Sequence, residues 1–244
     1  MKRLLFGLLI LAALCAIGGS LLGLSAVRLF AAENGLKGSG RIVSKTISAP
    51  DFHTIRASRG VKVVVANTSQ SDIRIEADDN VIDFVKVEAD KGVLAISIDP
   101  SVKRFSSIDV TVTTPAQASL RKLSASSAAK IRCERTLTAD HIALEASSAA
   151  KIEATIRTKA CSVDASSASK IKLTGSTGTC SLETSSASKI DASITCDDST
   201  IEASSASKIA LTGSAGKCSA ALSSASKLDA SEFTVAKCSV ETSS

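Results

Sequence analysis

The side chains that could do chemistry in this chain fall into rows. Lys130, Lys151, Lys170, Lys189, Lys208 and Lys227 recur at intervals of 19 to 21 residues, and the carboxylates Glu145, Asp164, Glu183 and Glu202 recur with the same spacing. Cys161, Cys180, Cys218 and Cys238 share a third position, with Ser199 filling the gap in their series. A row of ammonium groups suits a repeating anion, because many weak contacts then act at once. A row of carboxylates suits a hard cation such as calcium, or the acid and base of a sugar-cleaving enzyme. Thiols suit metal, disulfide or nucleophilic chemistry.

Most of these chemistries lack a required part. General-base work needs a nucleophile in reach of a histidine, and the chain has only His53 and His141. Asp140 precedes His141, but no Ser or Cys is singled out as its partner, so His141 is expected to be a surface histidine. No Gly-Gly-x-Gly-x-Asp calcium repeat accompanies the carboxylates, which are expected to form a solvated row without metal or catalytic role. No Cys-x-x-Cys pair is present to hold zinc. The thiols alternate with apolar residues and should point inward as free, buried groups. Neighbouring ones would fall within the disulfide Cα window of about 4.4–6.8 Å, yet their parallel Cβ vectors fit the bond torsion badly. Cys133 and Cys196 fall at other positions. The lysines are the candidate binding residues. No catalytic residue, cofactor or metal is expected.

What positions the rows is a repeat. Ser126-Ser127-Ala128-Ala129-Lys130 returns at 147–151, then as Ser-Ser-Ala-Ser-Lys at 166–170, 185–189, 204–208 and 223–227. Within a unit, apolar and polar residues alternate on either side of the small-residue segment, as in Cys161-Ser162-Val163-Asp164-Ala165 and Lys170-Ile171-Lys172-Leu173. Period two means strand, and 19 residues are too few for a helical repeat. Each unit therefore reads as one coil of a parallel β-solenoid, with Ser-Ser-Ala-Ser corners and a looser return such as Gly175-Ser176-Thr177-Gly178. Stacked coils turn each position into a ladder about 4.8 Å per step. Val163, Leu182, Ile201, Ala220 and Val240 should run inside, beside Ile131, Ile152, Ile171, Ile190, Ile209 and Leu228.

The first half is less regular but still reads as strands, at 42–47, 61–65, 73–76, 93–98 and 108–113. The expected organisation is a head domain over 41–244, regular from 122, with a short glycine-containing tether at 33–40. Residues 1–32 form a signal peptide or signal anchor: Lys2-Arg3 precede 24 uncharged residues, 4–27, enough to span a bilayer as a helix. Leu24-Ser25-Ala26 and Phe30-Ala31-Ala32 put a large residue where a cleavage site wants a small one. Leu14 before Cys15 likewise breaks a lipid-attachment motif.

Composition narrows the function classes. The chain has no Trp, no Tyr and six Phe, so its core is built of many small aliphatic side chains, and deep aromatic sugar pockets are missing. Three of the 29 basic residues lie in or beside the N-terminal segment, leaving 26 against 24 acidic ones. A near-neutral head without stacking aromatics is not a nucleic-acid binder.

Four segments resemble the auto-transporter adhesin head GIN domain family of bacterial envelopes. They are Phe52-His53-Thr54-Ile55-Arg56-Ala57-Ser58-Arg59-Gly60-Val61-Lys62-Val63, Ile73-Arg74-Ile75-Glu76-Ala77-Asp78-Asp79-Asn80, Lys91-Gly92-Val93-Leu94-Ala95-Ile96 and Leu120-Arg121-Lys122-Leu123-Ser124-Ala125-Ser126-Ser127-Ala128. The family typically carries Gly in its corners where this chain has Ser. The resemblance implies an all-β, right-handed parallel β-helix at the cell envelope with an adhesive role and no catalytic residues. The expected protein is exported to the periplasm or cell surface and is not an enzyme. A surface glycan or envelope protein is its expected partner, and the N-terminal segment is its contact with the membrane. A structural spacer without a ligand is the alternative. The last coil begins a seventh copy at Ser243-Ser244 with no covering element, so self-association or capping by a partner is expected there.

Overall fold

The computed structural model describes residues 35–67 and 71–243. Its strands are β1 (Leu36–Lys37), β2 (Ile42–Ser48), β3 (Thr54–Ala57), β4 (Lys62–Ala66), β5 (Asp72–Asp78), β6 (Val85–Asp90), β7 (Val93–Ile98) and β8 (Phe105–Ser106). They continue as β9 (Val110–Pro115), β10 (Lys122–Ala125), β11 (Lys130–Ala146), β12 (Lys151–Ala165), β13 (Lys170–Thr184), β14 (Lys189–Ala203), β15 (Lys208–Ser223) and β16 (Lys227–Ser243). One 3-10 turn, Ile82–Phe84, precedes β6, and no α-helix occurs among the described residues. The apolar helix expected in the N-terminal segment lies outside them.

From β10 onward each strand pairs in parallel with the next, in the register the repeat requires: Ile152 faces Ile171, Ile171 faces Ile190, Ile190 faces Ile209. The alternation of apolar and polar residues drives this. Ile131, Ile152, Ile171, Ile190 and Ile209 are buried, as are Val163, Leu182, Ile201 and Ala220, while the polar residues between them face out. Val240 departs from its row: it is 54% exposed, because no coil covers β16 among the described residues. The return is not loose. Each coil beyond its corner is one strand of 15 to 17 residues; pairing skips one residue per coil at Lys159, Gly178, Asp197 and Gly216, and the register shifts between Arg132 and Thr136 and between Ala210 and Thr212.

Each corner holds two consecutive non-glycine residues in left-handed backbone, such as Ser148 (φ 50°) with Ala149 (φ 62°) and Ser186 (54°) with Ala187 (59°). Two positive φ values closed by a bond such as Ala150 N–H to Ser147 O, 3.1 Å, make a type I′ turn. Left-handed backbone costs about 1–2 kcal/mol per L-residue. Stacking offsets that cost: Ala149 N–H donates to Ser167 O, Ala168 to Ser186 O and Ala187 to Ser205 O, at 2.9–3.0 Å, so the corners form a hydrogen-bonded ladder of their own. The fourth corner residue points inward. Where it is Ser rather than Ala, its hydroxyl reaches a strand-end carbonyl of the preceding coil, as Ser169 does to Ala146 O at 2.8 Å. Ser188 does the same to Ala165 O at 2.7 Å.

From β12 to β15 the coils alternate in bulk. One ladder reads Leu137, Ile156, Gly175, Ile194, Gly213, Phe233. A Cβ at Gly175 would lie 1.9 Å from Ile156 O, and one at Gly213 would lie 2.1 Å from Ile194 O. Glycine thus stands at this position in β13 and β15, whereas in β11 and β12 two large residues, Leu137 and Ile156, face each other.

The N-terminal third does not stack in chain order. β3 and β4, joined by the corner Ser58-Arg59-Gly60-Val61, form a coil that sits under β10 and β11. Beneath that coil lie β7 and β9, which come later in the chain. Below them the pairing turns antiparallel: β6 on β7, β5 on β9 and β2 on β5. An antiparallel margin of this kind ends the stack at that side. Within the segment expected as a tether, Leu36–Lys37 is instead a strand on Phe105–Ser106, with Leu36 buried. The buried Asp78 accepts from Gly40 N–H at 2.7 Å and Asp109 N–H at 2.8 Å, which binds that segment to the head.

Candidate functional site

The corners divide the surface into two charged rows. Just after each corner stands a lysine, and Lys62, Lys130, Lys151, Lys170, Lys189, Lys208 and Lys227 are all directly opposite one another in successive coils. The structure thus brings together all six lysines read from the repeat and adds Lys62, which the irregular spacing of the first coil conceals. Asp191 bridges two of them, with Oδ2 2.9 Å from Lys170 Nζ and Oδ1 2.8 Å from Lys189 Nζ. Lys62 pairs with Asp109 at 2.8 Å. Among the described residues, Lys130, Lys151, Lys208 and Lys227 make no ion pair. Two positions on, Arg132, Glu153, Lys172 and Asp191 form a neighbouring ladder of alternating sign.

Just before each corner stands the acidic row, Glu145, Asp164, Glu183 and Glu202, continued after Ala221 by Glu241. This row borders a trough. Asp164, Glu183, Glu202, Glu241, Ser185 and Ser204 line a depression of about 410 Å³. A smaller one of about 220 Å³ extends it past Glu145 to Ser124. Burial, with the charge of Glu145 adding to it, raises the Asp164 carboxyl above its ordinary range. Asp191 on the other row behaves oppositely: burial works against its ionisation, but the hydrogen bonds and charges of Lys189 and Lys170 prevail and lower it.

The remaining candidates are dispersed. His141 is exposed on β11, 3.4 Å from Ser162 Oγ, while Asp140 pairs with Lys159 at 2.9 Å rather than with the imidazole. His53 bonds Thr54 Oγ1 at 3.0 Å and packs against Gly92, where a Cβ would meet its ring at 2.5 Å. Among the described residues no group of three His, Cys, Asp or Glu side chains is placed to hold a metal. Cys161, Cys180, Cys196 and Cys218 are buried free thiols, Cys133 is half-buried and Cys238 is exposed. Burial pushes Cys133 up to about 12 and, with nearby charges, Cys196 to about 11.

Stacked parallel coils that carry charged ladders define a β-solenoid. The sequence places it in a family: residues 51–193 and 179–244 match the model described as "putative auto-transporter adhesin, head GIN domain", and the chain belongs to that family. Among solved structures, a "putative adhesin" from Parabacteroides distasonis shares 13% identity over 85% of this chain and 99% of that one, with a TM-score of 0.65. Another from Parabacteroides merdae shares 16% identity over 86% and 99%, with a TM-score of 0.62. A third, from Bacteroides fragilis, shares 18% over 86% and 100%, with a TM-score of 0.56. These likenesses carry the fold. No curated protein matches the sequence.

Proposed function

We propose that the protein is a non-catalytic binding module of the bacterial cell envelope, and that its lysine row holds an acidic polysaccharide. The observation that carries this is the unbroken register of seven ammonium groups, of which three are ion-paired among the described residues. Like charges about 4.8 Å apart repel by roughly 0.9 kcal/mol in unscreened water, and a bound polyanion removes that repulsion along the whole row. The acidic trough across the corner repels the same polymer, which keeps it to one side. Family membership and the exportable N-terminal segment support a place at the cell surface or in the periplasm.

The test is binding of the full chain to immobilised uronate-containing and neutral polysaccharides at rising salt. Affinity for the acidic polymer should fall steeply with salt and drop about 2- to 5-fold with each of Lys151, Lys170, Lys189 and Lys208 changed to Gln, since each exposed contact contributes about 0.5–1 kcal/mol. Binding indifferent to salt and to these changes, or no binding, returns the protein to the spacer reading.

A further inference from the structure

The buried cysteine row plays no part in that reading. Cys161 and Cys180 face each other in neighbouring coils, 3% and 2% exposed, with their Sγ atoms 3.1 Å apart. That is about 1 Å beyond the S–S bond length of about 2.03–2.05 Å, and the strand spacing of about 4.8 Å lies within the Cα window for a disulfide. The parallel Cβ vectors of an in-register ladder argue against a bridge, but here the two side chains have turned so that the sulfur atoms converge. Cys161 S–H donates to Cys180 Sγ, and the hydrogen-bond contacts with Cys180 and, less strongly, Thr177 lower the Cys161 thiol despite its burial. Ser199 stands opposite Cys180 on the far side, so within the row Cys180 has a thiol neighbour on one side only.

We propose that Cys161 and Cys180 are a disulfide site that staples two neighbouring coils. The bond forms by exchange with an oxidising disulfide, of the kind met in exported compartments. Cys161 thiolate attacks one sulfur of the oxidant and releases its first thiol. Cys180, after losing its proton, attacks Cys161 Sγ and releases the second. Two thiols become one disulfide while the oxidant's disulfide becomes two thiols, so electrons and protons balance. Attack requires an open coil, which places the step during folding. The closed bond ties 19 residues of chain into a loop and blocks unravelling of the array past Cys180.

The full chain, reduced and unfolded in urea, is refolded in oxidised and reduced glutathione, acid-quenched, alkylated in denaturant without reductant and cut with trypsin. The expected product is peptide 160–170 joined to peptide 173–189, two hydrogens lighter than their sum and separated by reduction. Cys196→Ala should leave this product in place, and Cys180→Ala should abolish it. The oxidised protein should show a raised urea midpoint, and Cys161→Ala should show no such rise. Recovery of both peptides alkylated after oxidising refolding, or of Cys180 joined to any cysteine but Cys161, would overturn the proposal. Neither outcome bears on polysaccharide binding.

Discussion

From Lys122 onward, each strand pairs with the next through residues 19 to 21 positions apart in the chain. In the N-terminal third, by contrast, Thr54 faces both Val93 and Lys122, 39 and 68 positions away. Both regions use parallel pairing and the same corner, and the N-terminal third adds antiparallel pairs at its margin; the larger difference lies in what must close first. Loop closure costs more as the loop lengthens, and a rung made only of long-range pairings is stable only once all its parts are present. The repeated coils can be added one at a time, each resting on the last. The N-terminal third is therefore expected to behave as a single cooperative block and the array as a graded one.

The largest effect should come from placing a carboxylate in each region's core. Ile55 is fully buried with Leu94 on one side and Leu123 on the other, and Ile190 is fully buried between Ile171 and Ile209. A buried unpaired carboxylate costs several kcal/mol. Ile55→Asp should abolish protection everywhere. Ile190→Asp should expose the coils from β14 onward while β3 to β11 stay protected in hydrogen-exchange mass spectrometry, and Lys189→Asp should be nearly silent. Equal, global loss for both Ile variants would erase the contrast.

Next in size are the glycines. Gly175→Ala meets Ile156 O and demands an L-residue at φ +129°, and should lower stability by about 2–3 kcal/mol in urea titration. Gly60→Ala, with only Phe105 in contact at 3.7 Å, should cost about 1 kcal/mol. The corner offers a smaller change of opposite sign. Ser186→Gly relieves a left-handed serine and should raise the midpoint by up to about 1 kcal/mol. A lowered midpoint would mean that the corner ladder already removes the strain.

Smallest is the response to acid. Asp191 has a folded pKa below its unfolded value, so its contribution is complete above the unfolded carboxylate range and is lost as pH falls through the folded value. Asp164, raised in the folded state, has the opposite sign: its ionisation opposes folding at neutral pH, and protonation relieves this as pH falls. Asp191→Asn should remove a few tenths of a kcal/mol of acid sensitivity, the discount for a largely exposed pair, and Asp164→Asn should stabilise slightly at pH 7. Identical pH slopes for both variants would contradict the assignment of the two rows.

Much of the array was legible because each of its rules is local. The Ser-Ser-Ala-Ser-Lys corners fix the period, alternation fixes which residues face in, and the period then fixes the lysine, carboxylate and cysteine ladders. The first coil escaped because an aperiodic insertion separates it from its partner strand. The matching signal was nonetheless present: Ile55-Arg56-Ala57-Ser58-Arg59-Gly60-Val61-Lys62-Val63 has the pattern of Leu123-Ser124-Ala125-Ser126-Ser127-Ala128-Ala129-Lys130-Ile131. The trough beside the carboxylates was not legible, since its depth depends on how far the corner overhangs the strand. The alternation of Ile156, Gly175, Ile194 and Gly213 was readable but hidden under the stronger 19-residue period.

That alternation, which runs from β12 to β15, distinguishes the ways in which such a rod can change length through gene rearrangement. Loss of one 19-residue unit, 170–188, would set Ile156 against Ile194, two large side chains where one large and one absent now fit together. Loss of 170–207 would set Ile156 against Gly213 and restore the fit, with every lysine still in line. Duplication or deletion of two coils, about 9.6 Å of rod at 4.8 Å per coil, thus conserves this stretch of the ladder, while the Leu137–Ile156 pair shows that the stack also holds two large residues in adjacent coils.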